Sequence, residues 1–555
     1  MSLRKRAVAV SPWWWAAVVL VALAAGLRFW AIGYGLPHTY NADEPHLVNM
    51  AVSFGSGSLR PHSFKYPTVW PTMLAGLYGL WFAIWSVFGL RKSPLDFAAL
   101  YGFAPTGFYL IARLAAAAAS FAALFLVAGS ERADKNTSRW PYGALVLAFA
   151  PVLIDLSHAA KPDSLMFLII AGAWACALRF QSGGPRLWLY GCAACVGAAC
   201  STQYTAAPAA LMLPLAWLLR DGGAAPVAWL FQAGALAAAA FFAGSPYVAL
   251  DFRRFVADWT DYADLGRLRP HDAAVMARTV AYNLWTYGGD GSPAGAAALL
   301  GLGVLLWKKT RRALLLFIPI AAYAAVLSSS PDGGWQRYLL GVFPALALLS
   351  SEGLDLLGGK NSWRRGVVAA LALAPGLFLS WRYVAELALP DTRAQAEAWM
   401  NTNVPAGETV LLDMPHASPR AIPTKEQCVE LEARTAAAGS PRAKLWRAMA
   451  QRHPGGGYRV YRIKRSAGDL YSSPKHVEAS QADSDFLDVR PGLDPVRAVR
   501  VNWVVTSSIG ADPHRTRELA TFFSELASGA DLVKEFPFEP GMTTGPWLRV
   551  WKLRR

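Results

Sequence analysis

The chain has 555 residues, 54% of them hydrophobic and only 16% charged, with a mean hydropathy of +0.27, a balance that excludes an ordinary soluble protein. Its formal net charge of +16 does not mark a nucleic-acid binder, because the cations gather in short tracts between apolar stretches: Arg4-Lys5-Arg6, Lys308 to Arg312 and Arg364-Arg365. Four of the five cysteines lie in apolar Ala/Gly-rich segments and the fifth, Cys428, stands alone in the polar tail, so no disulfide framework is implied.

The first element is an apolar run from Trp13 to Gly33 behind a basic start. It is long enough to cross a membrane and reads as an uncleaved first helix. Further runs recur at Thr68–Leu90, Thr106–Gly129, Tyr142–Leu156, Ser164–Phe180, Leu187–Ala199, Thr205–Leu219 and Val227–Phe242, and then at Ala294–Trp307, Ala313–Leu327, Leu339–Leu354 and Gly366–Tyr383. The expectation is a polytopic α-helical membrane protein of roughly 11–13 transmembrane helices. Tryptophans such as Trp70, Trp188, Trp307 and Trp335 sit near span ends, where an indole prefers the membrane-water boundary. Cys192 and Cys195 have a CxxC spacing, but without a second pair or a nearby histidine they read as small residues in helix packing.

Placing the basic N-terminus and the Lys308 tract in the cytoplasm puts the loop Gly35–Tyr66, the loop Ser245–Ser292 and everything after Tyr383 outside. One element breaks the alternation. Counting back from Lys308 also places Ser157–Asp163 outside, yet three expected spans separate it from the first loop. Asn136-Thr-Ser matches a glycosylation acceptor but falls in a short basic loop read as cytoplasmic.

After Tyr383 the composition becomes polar. A helical run Arg393–Met400, a strand-like Thr409–Leu412, a buried strand Asn502–Thr506, an amphipathic helix Arg515–Leu526 and a closing strand Trp547–Lys552 describe a soluble α/β domain over 389–555, following a membrane module over 1–388.

Ionisable residues crowd the outer rim. The first loop carries Asp43-Glu44 and closes on Lys65-Tyr66-Pro67; a carboxylate there can act as general base while Lys65 neutralises a departing phosphate. The plain alternative is a solvated loop with a helix start. Ser157-His158-Ala-Ala-Lys161-Pro162-Asp163 puts a histidine, a lysine and an aspartate in one short loop, where Asp163 also suits a helix N-cap. Arg113 lies within an apolar run and needs a cavity or a partner. Arg337-Tyr338 ends a span, where an arginine can grip a phosphate or snorkel to headgroups. His38, His46 and His62 beside Asp43 and Glu44 leave room for a divalent cation, although their spacing is no zinc signature.

These motifs, in this order, resemble the polyprenyl-phosphate-dependent glycosyltransferases of the GT-C superfamily, which includes the protein O-mannosyltransferases and the lipid A aminoarabinose transferase. The resemblance rests on Asp43-Glu44, Lys65-Tyr66-Pro67, Arg113-Leu114, Ser157-His158 to Asp163, Ser245-Pro246-Tyr247, Arg337 to Leu340 with Pro344, and in the tail Asp391-Thr-Arg, Asn403 to Gly407 and Trp503 to Ser507. It implies a bacterial inner-membrane enzyme that moves a sugar from a polyprenyl-phosphate donor to a lipid, glycan or protein acceptor, with Asp43 as base and Glu44, Asp163 and His158 in support. Lys65, Arg113, Arg337, Tyr338 and Tyr204 would then serve the donor phosphate. No nucleic acid and no obligatory cofactor is implied. The chain departs from the family at Gln203, where a Lys-Tyr is common, and at Thr68, where a second proline is. A transporter and a non-catalytic envelope-assembly protein are the alternative classes.

Overall fold

The computed structural model describes residues 12–39, 41, 43–90, 93–132, 140–265, 273–328, 336–464, 484–511 and 517–554. The Arg4-Lys5-Arg6 tract, the Asn136 acceptor and Trp335 lie outside the described residues. In chain order the helices are α1 (Pro12–Phe29), α2 (Asp43–Phe54), α3 (Val69–Val87), α4 (Pro94–Phe103), α5 (Thr106–Arg132), α6 (Tyr142–Ala148), α7 (Pro151–Ser157), α8 (Asp163–Gln181), α9 (Arg186–Thr202), α10 (Met212–Leu218) and α11 (Val227–Gly244). The series continues with α12 (Tyr247–Leu250), α13 (Phe252–Leu265), α14 (Ala273–Thr286), α15 (Ala294–Lys308), α16 (Thr310–Ser328), α17 (Phe343–Gly358) and α18 (Ser362–Leu387). Among the described residues five helical stretches are long and apolar enough to cross a membrane alone, beginning at Thr106, Asp163, Val227, Arg337 and Ser362. α11 turns most of its side chains outward, including Phe231 and Phe242, as a helix facing lipid does.

Small residues set the closest helix contacts. A Cβ on Gly301 of α15 would lie 1.9 Å from the Leu349 carbonyl of α17, and one on Gly353 of α17 would lie 2.0 Å from the Ala297 carbonyl of α15. Backbones this close exchange dispersion over their whole length, which holds helices together where no water drives them.

The crossing between residues 142 and 157 is broken at Pro151, which cannot continue the hydrogen-bond ladder of α6 into α7. Unpaired carbonyls inside a membrane are costly, and side chains of other helices satisfy them here. The buried Arg28 of α1 donates to the Ala148 carbonyl at 2.8 Å and to Leu147 at 3.3 Å, while Ser380 of α18 donates to Phe149 at 2.9 Å. Arg28 also donates to Ser120 of α5 at 3.0 Å, so one guanidinium ties three helices together. The break aims the 157–163 segment at the first loop.

α3 was expected to be a span and is not one. At its start Thr68 is tied to Gly244 and Ser245, and Trp70 donates to the Ala160 carbonyl at 3.3 Å. Towards its other end Trp81 packs on Phe97 of α4, with ring centroids 5.1 Å apart, and on Phe108 at the start of α5, at 4.9 Å. α4 in turn carries the C-terminal domain: Arg452 pairs with Asp96 at 2.6 Å and Arg420 donates to the Gly102 carbonyl at 2.6 Å. Before α3, the Ser56 carbonyl accepts from Lys444 of the same domain at 3.2 Å, so the segments at both ends of α3 lie on the face that holds that domain. Two crossings, α5 and the α6–α7 pair, then separate the first loop from residues 157–163, and the broken alternation is resolved.

Beyond α18, the helices Thr392–Asn403 (α19), Lys425–Ala437 (α20) and Ala443–Gln451 (α21) flank a six-stranded sheet. The strands are β1 (Thr409–Leu412), β2 (Arg459–Ile463), β3 (Asp485–Leu487), β4 (Trp503–Ser507), β5 (Ala530–Phe536) and β6 (Leu548–Leu553), in spatial order β3-β2-β1-β4-β6-β5. The first four in that order are parallel, and β6 and β5 close the edge antiparallel. Strand periodicity sends Val410, Leu412, Trp503 and Val505 to one core and Leu411 and Val504 to the other. Asp391 caps α19 and forms a paired contact with Arg393, at 2.9 and 2.7 Å, which fixes the domain's entry point.

Candidate active site

Asp43 opens α2, and three cations from three separate elements converge on it. Lys161, from the turn between α7 and α8, lies 3.1 Å from Oδ2; Arg337, at the start of the segment leading into α17, lies 3.3 Å from Oδ2; Lys65, at the end of the first loop, lies 3.6 Å from Oδ1. Arg337 also donates to the Tyr338 hydroxyl at 2.9 Å and lies over that ring, 4.9 Å from its centroid. The carboxylate keeps 22% of its side-chain surface exposed. Burial pushes its carboxyl up, but Lys161, Lys65 and Arg337 outweigh burial and hold it well below the usual carboxylate range. Asp163, the first residue of α8, is buried beside this group, and Oδ1 accepts from Gln203 at 3.3 Å. The cap position of α8 is Pro162, with no side-chain cap, so Asp163 does not serve as N-cap.

Glu44, one residue on, is walled in. Arg113 of α5 donates to both its oxygens at 2.9 Å, the Ala160 amide donates at 2.7 Å, and neither side chain of the ion pair is exposed. Arg113 also donates to the carbonyls of Ile32 and Tyr34, at 3.1 and 2.8 Å, and stacks on the Tyr34 ring. Four hydrogen bonds to protein acceptors commit this guanidinium to bracing α1, α2 and α5. His158 is occupied in the same way, with Nδ1 2.8 Å from the Ile154 carbonyl and Nε2 2.8 Å from the Trp30 carbonyl.

Tyr204 sits among aromatics: its ring lies 5.4 Å from Trp259 and 6.1 Å from Phe255 of α13, and its buried hydroxyl has no partner among the described residues. α13 also clamps the first loop. Asp251, just before it, pairs with Arg60 at 2.7 Å, Asp258 accepts from the Phe64 amide at 2.8 Å, and Arg254 donates to the His62 carbonyl. α13 thus holds the stretch of the first loop that leads into Lys65. Thr68 explains its own departure from the family pattern: its amide donates to Ser245 at 3.1 Å and its hydroxyl to the Gly244 carbonyl at 2.8 Å, and a proline could make neither bond.

The histidines do not form a metal site with the acidic pair. His38 pairs with Glu397 of α19, His46 lies against Tyr66, and among the described residues no three His, Cys, Asp or Glu side chains gather as a metal would need. A dication at Asp43 would face three positive neighbours.

Sequence reasoning gave Lys161 no role, although it lies nearest Asp43. The signal was its place just before a helix N-terminus, where the helix dipole favours anions and a cation is unfavourable unless something else holds it.

The order of a helical membrane module and an appended α/β domain has counterparts among solved structures. Among solved structures, ArnT from Cupriavidus metallidurans in the apo state aligns with a TM-score of 0.57 at 12% identity, over 97% of this chain and 98% of that one. The same protein bound to undecaprenyl phosphate aligns at 0.54 and 13% identity, over 98% of each chain. The archaeal oligosaccharyltransferase AglB from Archaeoglobus fulgidus is more distant, at 0.44 and 11% identity, covering 96% of this chain and 74% of that one. No protein-family profile and no curated protein matches the sequence.

Proposed function

We propose that this protein is a membrane glycosyltransferase that transfers a sugar from a polyprenyl-phosphate-linked donor to an acceptor hydroxyl, with inversion at the anomeric carbon. The observation that carries this reading is the charge imbalance around Asp43: Lys161, Arg337 and Lys65 surround one partly exposed carboxylate. That surplus suits a phosphate. As the bond from the anomeric carbon to the phosphate oxygen breaks, its electron pair passes to the polyprenyl phosphate, and preorganised cations stabilise the growing charge.

Asp43 in its resting state is too weak a base to take a hydroxyl proton. A bound phosphate competes for the same three cations, so the carboxylate regains basicity when the donor is in place. The acceptor oxygen then attacks the anomeric carbon from the side opposite the phosphate, and its proton passes to Asp43. In this reading Tyr338 orients Arg337, Asp163 with Gln203 steadies the far side of the cluster, and the Glu44–Arg113 pair and His158 hold the first loop against α1, α5 and α7. The ArnT structure bound to undecaprenyl phosphate supports a lipid phosphate as the donor's carrier. The site would face the extracytoplasmic side of a bacterial inner membrane, with the N-terminus in the cytoplasm and residues 389–555 as a separate soluble domain above it.

The test is transfer from a radiolabelled polyprenyl-phosphate sugar in membranes containing the full chain or Asp43→Asn. Loss of transfer with normal insertion is expected. Full transfer by the variant would sink the assignment.

A further inference from the structure

The C-terminal domain holds a second concentration of positive charge away from Asp43. A cleft of about 310 Å³ opens between the domain and α4, with Gly102 of α4 on one wall and Leu445 and Met449 of α21 among its apolar lining. Arg420, Arg442 and Arg462 line the same cleft. Arg420 is held by the Gly102 carbonyl at 2.6 Å and Arg462 by the Asp413 carbonyl at 3.1 Å. Neither guanidinium is paired with a carboxylate among the described residues.

Three nearby carboxylates are already engaged, the first being Asp413 beside Arg462, which accepts from the Ser507 hydroxyl at 2.9 Å and the Met414 amide at 2.8 Å. Asp485, also on the cleft, accepts from Gln427 and Arg434 at 2.7 Å each and lies 3.5 Å from Arg459, so its charge is met from outside. Glu397 pairs with His38. The indole N–H of Trp446, on the cleft wall, is buried and has no acceptor among the described residues.

We propose that this cleft is an anion site for a phosphate-bearing group, held by Arg420, Arg462 and the Trp446 N–H, with Arg442 at its rim. The physical argument is one of unmet demand. Burial lowers the proton affinity of both guanidiniums, that of Arg462 down to about 10, and the carboxylates that act on them, Glu397 on Arg420 and Asp413 on Arg462, offset that loss only in part. Planar guanidinium forks match phosphate oxygens in pairs, and an indole N–H adds one further donor. A cavity of this size accommodates a phosphorylated headgroup or a free phosphate but not a large glycan. The site lies where the domain docks on α4, so an occupant would also tighten that junction. It stands whether or not Asp43 is the catalytic base.

The test uses the full-length chain in detergent carrying Arg337→Gln, which weakens phosphate binding near Asp43, with inorganic phosphate as the probe in calorimetry. Saturable binding that loses affinity by about tenfold or more when Arg420→Gln and Arg462→Gln are added is expected. No saturable binding in the parent, or no change in the triple variant, overturns the site. Trp446→Phe removes only the N–H and guards against misfolding of the arginine variants: a smaller loss of affinity is expected, and unchanged affinity removes the indole from the site. The source is read by native mass spectrometry from nanodiscs containing phosphatidic acid. One lipid retained by the parent and lost with the two arginines identifies a headgroup, whereas phosphate binding without retained lipid identifies a soluble phosphate. Binding of neither overturns the proposal.

Discussion

Asp43 and Glu44 begin the same helix and end in opposite surroundings. Glu44 meets one arginine, has both oxygens bonded, and has no exposed surface. Asp43 meets three cations, all at longer range, and keeps an open side. The sealed pair is balanced in charge, so nothing is left over to act on a ligand. The open group is unbalanced, and its surplus has a use only when another anion arrives. Access and stoichiometry of charge, more than residue type, separate a brace from a reactive centre.

The largest expected effect breaks the comparison on the open side. Asp43→Asn should cost about 10³-fold in transfer, the scale of a lost general base, with expression and insertion unchanged. On the sealed side Glu44→Gln should act through stability. Removing one partner of a buried pair costs about 3–5 kcal/mol, read as a lower Tm and loss of monodisperse protein, and Glu44→Leu with Arg113→Met should recover part of it. A Glu44→Gln protein with normal Tm but no activity would erase the distinction drawn here.

Lys161→Gln sharpens the comparison through pH. Asp43 in the free protein is held below the usual carboxylate range, so kcat/KM of the unaltered chain should stay level as pH falls through about 5 to 4. Removing the nearest cation leaves burial in place, so the acid limb should rise into and above that window, with a loss of about tenfold in transfer at neutral pH. An acid limb that does not move would mean that Lys161 does not control Asp43. The smallest effect belongs to Thr68→Val, which loses one hydroxyl donor to Gly244 and should cost about 1 kcal/mol in thermal stability with transfer retained.

Much of this was legible in the sequence. The crowding of acid and base residues in the first loop singled out Asp43 and Lys65, and a place at a span end singled out Arg337; the fold gathers the three into one group. The strands β1 and β4 were readable as apolar runs and β6 as a closing strand whose polar residues alternate with buried ones at its start. β2 was not, because Arg459 and Arg462 interrupt it, and neither was β5, whose middle residues face solvent. Arg113 announced that it needed a partner but not which one; the choice of Glu44 depends on how α5 packs against α2. The clearest failure was α3. A long apolar run fixes length and hydrophobicity, and neither reveals that both ends are tied to the same face by Ser245 and Phe97.

That placement of α3 has a consequence for parity. Every true crossing flips the side of all that follows, so counting α3 as one would put Lys161 and Asp43 on opposite sides of the bilayer, although they lie 3.1 Å apart. Cysteine reporters at Ser56 and Ser93, on either side of α3, should therefore label from the same compartment, and the stretch from Asp43 to Phe103 behaves as one broad awning rather than as a hairpin through the membrane.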